Sequence, residues 1–244
     1  MKEDSAPVVS RQTQPHPRLA ETVIKHSGSQ WRKPVAEHSR RAFAMLASDV
    51  RERSDSLILD TGCGTGMSTN QLARQYPDSL VLGVDKSLAR LNRAGPLPSN
   101  ARLVRMDLED FWLLAAEAGW RFERQYFLYP NPWPKPEQRL RRWPFHPVLP
   151  VALSCGGIWE LRTNWKVYAQ EFAQAFGILT GVVSDVEVWR PSEVLTLFEK
   201  KYLASGHDLW RWVGSVREKD RQSADQNKVQ DEEKKPKPEK QAEL

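Results

Sequence analysis

Short apolar runs alternate with longer amphipathic segments along most of this chain, and this alternation constrains the fold more than any single residue does. Short runs rich in Leu, Val, Ile and aromatic residues are typical of buried strands, and the amphipathic segments are typical of helices. The alternation predicts an α/β fold in which a seven-stranded, mostly parallel sheet carries helices on both faces. The predicted strands are residues 57–60, 80–85, 102–107, 124–129, 158–163, 185–189 and 209–215.

Six helices are predicted around these strands, at about residues 35–48, 66–76, 87–94, 108–118, 166–178 and 192–204. Pro77 ends the second helix, because proline disfavours helical geometry in the residue before it. Several of the strands end at an acidic residue, as strands do when their carboxyl ends carry a ligand site.

The two ends of the chain depart from this pattern. Residues 1–17 are polar with three prolines, and residues 218–244 contain no aromatic side chain. Neither segment buries enough apolar surface to offset the entropy lost on ordering. We therefore expect a single domain over residues 18–217, with a disordered N-terminal arm at 1–17 and a disordered charged tail at 218–244.

The formal net charge of +5 belongs to the domain and the arm, because residues 219–244 hold seven basic and seven acidic side chains. A positive surface attracts a polyanion such as RNA, although a solvated basic surface without a partner gives the same count.

Cysteine and histidine usage argues against disulfides and metals. Cys63 and Cys155 form no CxxC pair and the five histidines lack metal-ligand spacing, so we predict neither a disulfide framework nor a metal site. No apolar run approaches the roughly 20 residues that cross a bilayer, and the first ten residues lack the apolar stretch of a secretion signal. We expect a soluble cytoplasmic protein with no membrane partner.

A glycine-rich turn follows the first predicted strand. The segment LILDTGCGTGMSTNQLA places Asp60, Gly62, Gly64 and Gly66 where that strand meets the next helix. Glycines there permit a tight turn, and the exposed amides of a helix start attract an anion such as a carboxylate or a phosphate. The spacing alone also fits a dinucleotide-binding loop or a plain glycine turn.

The second and third predicted strands both end at an aspartate. Asp85 follows Gly62 by 23 residues, a separation at which a carboxylate can accept hydrogen bonds from a ribose diol. Asp107 ends the third strand, where it can reach an adenine amino group on the same rim. Either aspartate alone could instead cap the following helix, but acids at three successive strand ends favour a ligand site.

This combination resembles the cofactor site of class I methyltransferases, which have a Rossmann-like fold. In that class the glycine loop lies beside the methionine part of S-adenosyl-L-methionine, and the second acid holds the ribose. The resemblance implies the same cofactor here, and the implied contacts are Asp60, Gly62, Gly64, Asp85 and Asp107. Cys63, inside the loop, is interpreted as a small filler residue and not as a nucleophile.

A proline-rich loop follows the fourth predicted strand, in the segment YFLYPNPWPKPEQRLRRW. Three prolines between residues 130 and 134 fix an extended loop at the edge of the sheet that faces the cofactor. Trp133 offers a flat face for a base, and Lys135 offers a positive charge. The arginines that follow are suited to phosphates, and they are Arg139, Arg141 and Arg142. A core tryptophan and a solvated basic helix face are the alternatives.

Two further segments, GGIWELRTNWKVYA at residues 156–169 and TLFEKKYLASGHDLW at 196–210, extend the resemblance. With the loop above, they are similar in order to the bacterial tRNA guanine-N7 methyltransferase family. Its hallmarks are an acid-Pro-Trp-x-Lys loop before a basic helix, a Thr-Asp-Trp motif and a Thr-x-Phe-Glu stretch. The similarity covers roughly residues 25–215, which makes it far more specific than any one motif.

Two departures from the family each remove a carboxylate from the implied substrate pocket. Asn131 stands where the family has Asp before Pro-Trp, and Asn164 stands where it has Asp after Thr. The resemblance makes these two asparagines the catalytic residues, and Asn131 a cofactor contact as well. The implied substrate-binding residues are Lys135, Arg141, Asn164, Thr196 and Glu199. A helix N-cap is the alternative role of Asn164.

The resemblance implies a methyltransferase that modifies guanine N7 in tRNA. Guanine N7 carries a free lone pair, so no base removes a proton before attack and positioning does most of the catalytic work. An asparagine can accept a hydrogen bond from guanine, but it supplies no negative charge to offset the cationic product.

Three other functions stay open at this point. An enzyme of the same fold could methylate a different acceptor, either an exocyclic amine or a small molecule, since Asn-Pro is similar to the Asn-Pro-Pro loops of amino-group methyltransferases. A non-catalytic tRNA-binding relative would keep the basic helix without turnover. A nicotinamide dehydrogenase fits the glycine loop and Asp85, but no hydride-transfer site follows. The sequence also leaves the oligomeric state open.

Overall fold

A seven-stranded sheet forms the centre of the molecule. A computed structural model describes residues 5–29, 31, 33–53 and 56–216. Within this part of the chain the strands are β1 (Leu57–Thr61), β2 (Leu80–Asp85), β3 (Ala101–Arg105), β4 (Arg124–Leu128), β5 (Gly157–Thr163), β6 (Val186–Trp189) and β7 (Leu209–Val216). They lie side by side in the order β3-β2-β1-β4-β5-β7-β6, and β7 runs antiparallel to both of its neighbours.

Helices connect these strands. The α-helices of the described residues are α1 (Leu19–Ser27), α2 (Glu37–Arg53), α3 (Met67–Gln75), α4 (Leu88–Leu91), α5 (Leu108–Glu117), α6 (Leu149–Ser154), α7 (Lys166–Thr180) and α8 (Leu197–Ala204). Two 3-10 helices, Pro136–Arg141 and Trp143–Phe145, precede α6.

The predicted sheet is confirmed: it has seven strands, is mostly parallel and carries helices on both faces. β2 has the predicted bounds, and the other strands differ from the prediction by one or two residues at an end. Asp107 lies outside β3 and directly before α5, so it belongs to the turn at the edge of the sheet.

The helices show larger departures from the prediction. The segment predicted as a helix at 87–94 is the single turn of α4, and the helix predicted from 192 begins only at Leu197, where Thr196 caps it. The basic helix that the family resemblance implies after Lys135 is a short 3-10 helix, Pro136–Arg141, and Pro144 disfavours helical geometry just beyond its end. Neither α1 nor α6 was predicted, although Leu19 and Val23 form a buried i,i+4 pair in α1.

Side chains of the central strands alternate between two apolar layers. In β1, Leu57 and Leu59 belong to a large cluster with Phe111 of α5, whereas Ile58 belongs to a second cluster with Leu72 of α3. Successive side chains of a strand point to opposite faces, so each layer covers one face of the sheet. Because both faces are covered, β1 and β2 are buried along their whole length.

The direction in which the chain crosses the sheet changes between β1 and β4. From β1 the chain proceeds to β2 and β3 on one side, and it then returns to β4 and β5 on the other. In open α/β sheets a ligand crevice forms at the carboxyl ends of the strands where two such halves diverge. This topology marks the ends of β1 and β4 as the place for a site.

Residues 5–17 contain no helix or strand and lie against the domain. Gln12 Nε2 and the His16 backbone amide donate to the buried Glu171 carboxylate at 2.6 and 3.1 Å, and Ser10 Oγ donates to the Pro134 carbonyl oxygen at 2.5 Å. A buried carboxylate needs hydrogen-bond donors, and these contacts supply them. The disorder predicted for residues 1–17 stays a prediction. The domain boundaries at 17 and 217 stay predictions, and the predicted tail at 218–244 lies outside the described residues.

Close packing between β2 and the start of α3 gives a testable consequence. A Cβ atom at Gly83 would meet Thr69 Oγ1, and it would lie 2.6 Å from Leu103 Cδ2 and 3.0 Å from Cys63 Sγ. We expect Gly83→Ala to lower the free energy of unfolding in urea by about 1–3 kcal/mol, the usual cost of overpacking. Gly95→Ala is the matched control, because its Cβ would meet nothing within 4 Å. Equal free energies of unfolding for the two variants would contradict the close packing.

Candidate active site

One large cavity opens at the carboxyl edge of the sheet, where β1 and β4 diverge. Its volume is about 1700 Å³, and its walls come from the ends of β1, β2 and β4, the turn before α5, and α8. The predicted site residues that line it are Asp60, Gly62, Gly64, Asp85, Asp107, Asn131, Arg141 and Thr196. The fold therefore brings most of the predicted cofactor and substrate residues to the same cavity.

The glycine turn between β1 and α3 presents bare backbone to this cavity. Gly62 and Gly64 have φ angles of 69° and 61°, in the left-handed region that glycine adopts without strain. Gly62 N donates to the Val84 carbonyl oxygen at 2.8 Å, which ties the turn to β2. A Cβ atom at either glycine would meet no protein atom within 4 Å, so both leave open space for a ligand.

Asp60, at the end of β1, is fully buried, and only one of its two carboxylate oxygens has a hydrogen-bond partner among the described residues. Its Oδ2 accepts hydrogen bonds from the hydroxyls of Ser68 and Thr69 at 2.6 and 2.7 Å, whereas its Oδ1 has no partner among the described residues. Burial raises the pKa of this carboxyl from 3.8 to about 6, against the lowering effect of the two hydroxyls. A buried oxygen without a partner on a cavity wall is an acceptor available to a ligand.

Asp85 and Asp107 occupy the neighbouring strand ends. The Asp85 carboxylate accepts hydrogen bonds from Gly64 N at 2.9 Å and from Ser87 N at 2.8 Å, and Arg90 Nη1 lies 3.4 Å away. Asp107 precedes α5, but its side chain accepts no capping hydrogen bond from that helix. Asp107 is thus the N-cap residue of α5 by position without a capping side-chain hydrogen bond, and it lines the cavity.

These side chains fit the polar groups of S-adenosylmethionine. The Asp60 Oδ1 can accept a hydrogen bond from an ammonium group, and the Asp85 and Asp107 carboxylates suit ribose hydroxyls and an adenine amino group. The open space beside Gly62 and Gly64 admits the ligand close to the backbone. The Cys63 thiol lies in the same turn, and burial raises its pKa, so it stays protonated and is not a nucleophile.

The loop after β4, residues 129–133, forms another wall of the cavity and is named the substrate loop for its predicted role. Tyr129 and Trp133 have φ angles of 53° and 46°, a backbone conformation that costs non-glycine residues about 1–3 kcal/mol each. Asn131, between them, is exposed and lines the cavity. The Arg141 guanidinium lies 4.7 Å from the Trp133 ring centroid, so the tryptophan and the arginine form one flat, positively charged surface on the cavity wall.

Arg142 is not a phosphate ligand, contrary to the prediction. Its side chain is fully buried and pairs with Glu171 of α7 at 2.7 Å. Its Nε and Nη2 also donate to the Trp133 carbonyl oxygen at 3.0 and 2.9 Å. The guanidinium therefore holds the strained Trp133 backbone in place, and it is unavailable to RNA.

Glu199 is buried below the cavity and does not line it. Its Oε1 accepts hydrogen bonds from the Tyr129 hydroxyl at 2.9 Å, Arg162 Nη1 at 3.2 Å and Trp189 Nε1 at 3.1 Å. Its Oε2 accepts from Leu195 N at 2.7 Å. This carboxylate joins the turn at the end of β4 to the loop before α8, which is a positioning role and not direct contact with substrate.

Two other predicted substrate residues also lie off the cavity. Lys135 is exposed beyond it. Asn164 lines a separate depression of about 450 Å³, where its amide lies 3.2 Å from His207 Nδ1 and His207 Nε2 lies 2.8 Å from the Ser5 carbonyl oxygen. The N-cap of α7 is Trp165, so the alternative capping role of Asn164 is wrong as well. The structure does not bring Asn164 and Asn131 together at one cavity.

Sequence reasoning missed several residues that the structure brings to the cavity. Arg90 pairs with Asp85, and Tyr129 carries the turn that starts the substrate loop. Phe198 and the two lysines after Glu199 line the wall formed by α8. Phe198 lies inside the Thr-x-Phe-Glu stretch, so a signal was available, but the sequence does not show that this side chain is exposed.

The fold and the cavity together define a class I S-adenosylmethionine-dependent methyltransferase. A family model described as "Putative methyltransferase" matches residues 54–212. A protein named tRNA (guanine-N(7)-)-methyltransferase from a Nocardioides species is 34% identical over 178 residues, which are 65% of this chain and 66% of that protein. A protein of the same name from Pseudoalteromonas atlantica is 27% identical over 209 residues, 79% of this chain and 85% of that protein. The chain belongs to the tRNA (guanine-N7-)-methyltransferase family, and its cofactor is S-adenosylmethionine.

Two solved structures share this fold. One, titled an antibiotic related methyltransferase, gives a TM-score of 0.51 at 16% identity and covers 75% of this chain and 97% of that chain. The 16S rRNA methyltransferase KamB gives a TM-score of 0.53 at 17% identity and covers 75% of this chain and 95% of that chain. At these identities the likeness shows the fold alone, and the predicted Rossmann-like class is confirmed.

Metal-ligating side chains form no cluster in the part of the chain that the structure describes. Among the same residues, every helix is too short or too polar to cross a bilayer. Cys63 and Cys155 are both buried and not joined in a disulfide.

The raised pKa of the buried Asp60 carboxyl predicts that both stability and cofactor affinity depend on pH. Its pKa in the ligand-free protein, about 6, lies above the value of 3.8 for a free carboxyl. Its contribution to stability is therefore largest below about pH 4 and is lost as the pH rises through 6. A cofactor ammonium favours the ionised form, so we expect S-adenosylmethionine affinity to rise between about pH 5 and 7.

Calorimetric titration of wild-type protein and of Asp60→Asn checks this. The variant should bind the cofactor more weakly at pH 7 and lose the rise that is due to Asp60, while its ligand-free form is at least as stable as wild type. Identical pH profiles for the two proteins would show that Asp60 does not contact the cofactor.

The hydrogen bonds of the buried Glu199 carboxylate predict that removing it destabilises the fold. Glu199→Ala leaves the Arg162 guanidinium with one fewer buried partner and removes the acceptor of Tyr129, so we expect the free energy of unfolding to fall by about 3–5 kcal/mol. Glu193→Ala, an exposed glutamate in the preceding loop, should change it by less than about 0.5 kcal/mol. Urea unfolding followed by tryptophan fluorescence measures both. A small effect at Glu199 would mean that this carboxylate does not hold the cavity wall.

Proposed function

We propose that the chain transfers a methyl group from S-adenosylmethionine to guanine N7 in tRNA. The observation that carries this proposal is the meeting of the glycine turn and the Asn131-Pro-Trp133 loop at one cavity. Proteins named tRNA (guanine-N(7)-)-methyltransferase are similar over most of the described domain, which supports the same acceptor. Because tRNA is the proposed substrate, we also propose a cytoplasmic location.

The chemistry asks little of the protein beyond positioning. The bound cofactor supplies an electrophilic methyl group on a sulfonium sulfur. Guanine N7 has a free lone pair, so no side chain has to remove a proton before attack. This agrees with a cavity wall in which Asn131, and not a carboxylate, stands at the start of the loop.

The loop residues suit the orientation of a purine. The Asn131 side-chain oxygen can accept a hydrogen bond from guanine N1–H or from the 2-amino group. The paired surface of Trp133 and Arg141 offers a flat face for the base and a positive charge for a nearby phosphate. Backbone strain at Trp133 is offset by the buried Arg142, which keeps this surface fixed before substrate arrives.

A second candidate is a different methyl acceptor on the same fold. Asn131 standing in place of a family aspartate favours it, because an asparagine oxygen can hold an exocyclic amine. Under this candidate, small amines would be methylated in the absence of RNA, whereas strict dependence on folded tRNA would exclude it.

Nucleoside mass spectrometry tests the proposal. Recombinant protein, S-adenosylmethionine and unmodified tRNA transcript should yield 7-methylguanosine, and its absence at micromolar enzyme would overturn the proposal. Asp85→Ala should weaken cofactor binding about tenfold or more. It removes the carboxylate, held in place by Gly64 N, that would accept hydrogen bonds from the cofactor ribose. Asn131→Ala should mainly slow transfer, about 100-fold, the cost of a misplaced substrate, with a smaller effect on cofactor affinity.

Asn131→Asp tests the effect of charge at this position, because the two side chains have nearly the same shape. It restores a carboxylate that can offset the cationic product, so we expect a transfer rate at least equal to wild type. Equal effects of Asp85→Ala and Asn131→Ala on binding and on transfer would contradict the division of the cavity into a cofactor side and a substrate side.

A further inference from the structure

α8 has apolar side chains on its outer face as well as on its core face. Tyr202 and Leu203 pack against the core, and Glu199 is buried. Leu197 and Phe198, however, are 56% and 51% exposed. Isolated exposed apolar residues are common, but these two are adjacent and line the cavity, which is typical of a binding surface.

The Phe198 ring is the outer member of a row of aromatic rings. Its centroid lies 6.1 Å from that of Tyr202 with an interplanar angle of 27°, and the Tyr202 ring lies 5.2 Å from that of His207 at 15°. Tyr202 also contacts Tyr129 at the start of the substrate loop, at 5.5 Å. The row is anchored in the core on one side, and its exposed end offers a ring face to a further planar group.

Two lysines follow Phe198 on the same helix. Lys200 and Lys201 line the cavity, and among the described residues neither ammonium lies within ion-pair distance of a carboxylate. Arg90, Arg93 and Arg141 line other walls of the same cavity. An aromatic face beside unpaired cations has the chemistry that binds a single nucleic-acid strand, through base stacking and phosphate contacts.

We propose that α8 docks a nucleotide next to the target guanine, with its base stacked on Phe198 and its phosphates paired with Lys200 and Lys201. This inference rests on the proposed function for the identity of the strand, and it adds a second contact for the RNA. The charge of the surface selects RNA over an apolar protein partner, because two lysines of the same helix line the cavity with the ring. α8 then holds the strand while the loop with Asn131 holds the target base.

Measuring the affinity of variants for unmodified tRNA tests whether a base stacks on the Phe198 ring. Phe198→Ala should raise the dissociation constant about 5- to 150-fold, the range of one lost base stack, and Phe198→Tyr should stay within about twofold of wild type. Val183→Ala, at a residue 90% exposed and off the cavity, is the control and should have no effect. The affinity for S-adenosylmethionine and the Tm should be unchanged in all three variants.

The salt dependence of tRNA binding tests whether Lys200 and Lys201 contact phosphates. The double variant Lys200→Ala, Lys201→Ala should reduce the slope of log affinity against log salt by about 1.5, because two phosphate contacts are lost. The double variant Arg40→Ala, Arg51→Ala removes the same charge from exposed positions on α2, off the cavity, and should leave the slope unchanged. Wild-type affinity and slope in the α8 variants would overturn the inference, and so would an equal loss of cofactor affinity.

Measuring tRNA binding and methyl transfer separately distinguishes this inference from the proposed function. Phe198-dependent tRNA binding without formation of 7-methylguanosine would support the docking surface and overturn the proposed reaction. Formation of 7-methylguanosine with normal KM for tRNA in Phe198→Ala would support the reaction and overturn the docking surface.

Discussion

The buried Glu199 carboxylate is the interaction on which the shape of the cavity depends. It accepts hydrogen bonds from the Tyr129 hydroxyl on the substrate-loop side and from the Leu195 amide on the α8 side. Arg162 of β5 supplies the compensating charge at 3.2 Å. Because a buried charge that loses its partners is costly, these groups favour a single arrangement, and that arrangement fixes two walls of the cavity relative to each other.

A second buried ion pair holds the other end of the substrate loop. Arg142 pairs with Glu171 and donates to the Trp133 carbonyl oxygen, so a strained backbone residue is tied to α7. Residues 5–17 contribute to this cluster through Gln12, which contacts both partners of the pair. The loop with Asn131 is thus held at both ends, and a rigid loop suits a reaction in which positioning is the main catalytic requirement.

Features that depend on local pattern could be predicted from the sequence, and features that depend on distant partners could not. Strand alternation predicts the sheet, and the glycine turn with acids at successive strand ends predicts a ligand site, which the family resemblance assigns to the cofactor. Residue type predicts Arg142 as a phosphate ligand, and the family resemblance predicts Asn164 as a pocket residue. Their real environments are set by Glu171 and His207, which lie 29 and 43 residues further along the chain. No periodicity reveals such pairs, whereas α1 has a local signal in the i,i+4 spacing of Leu19 and Val23.

The central claim is that a glycine turn and an Asn-Pro-Trp loop share one cavity, so that a methyl donor and a purine meet there. A crystal structure with S-adenosylhomocysteine bound tests this most directly. We expect Asp60 and Asp85 within hydrogen-bond distance of the ligand, and Asn131 on the wall that faces its sulfur atom. A ligand bound elsewhere, or Asn131 on a surface separate from it, would contradict the account.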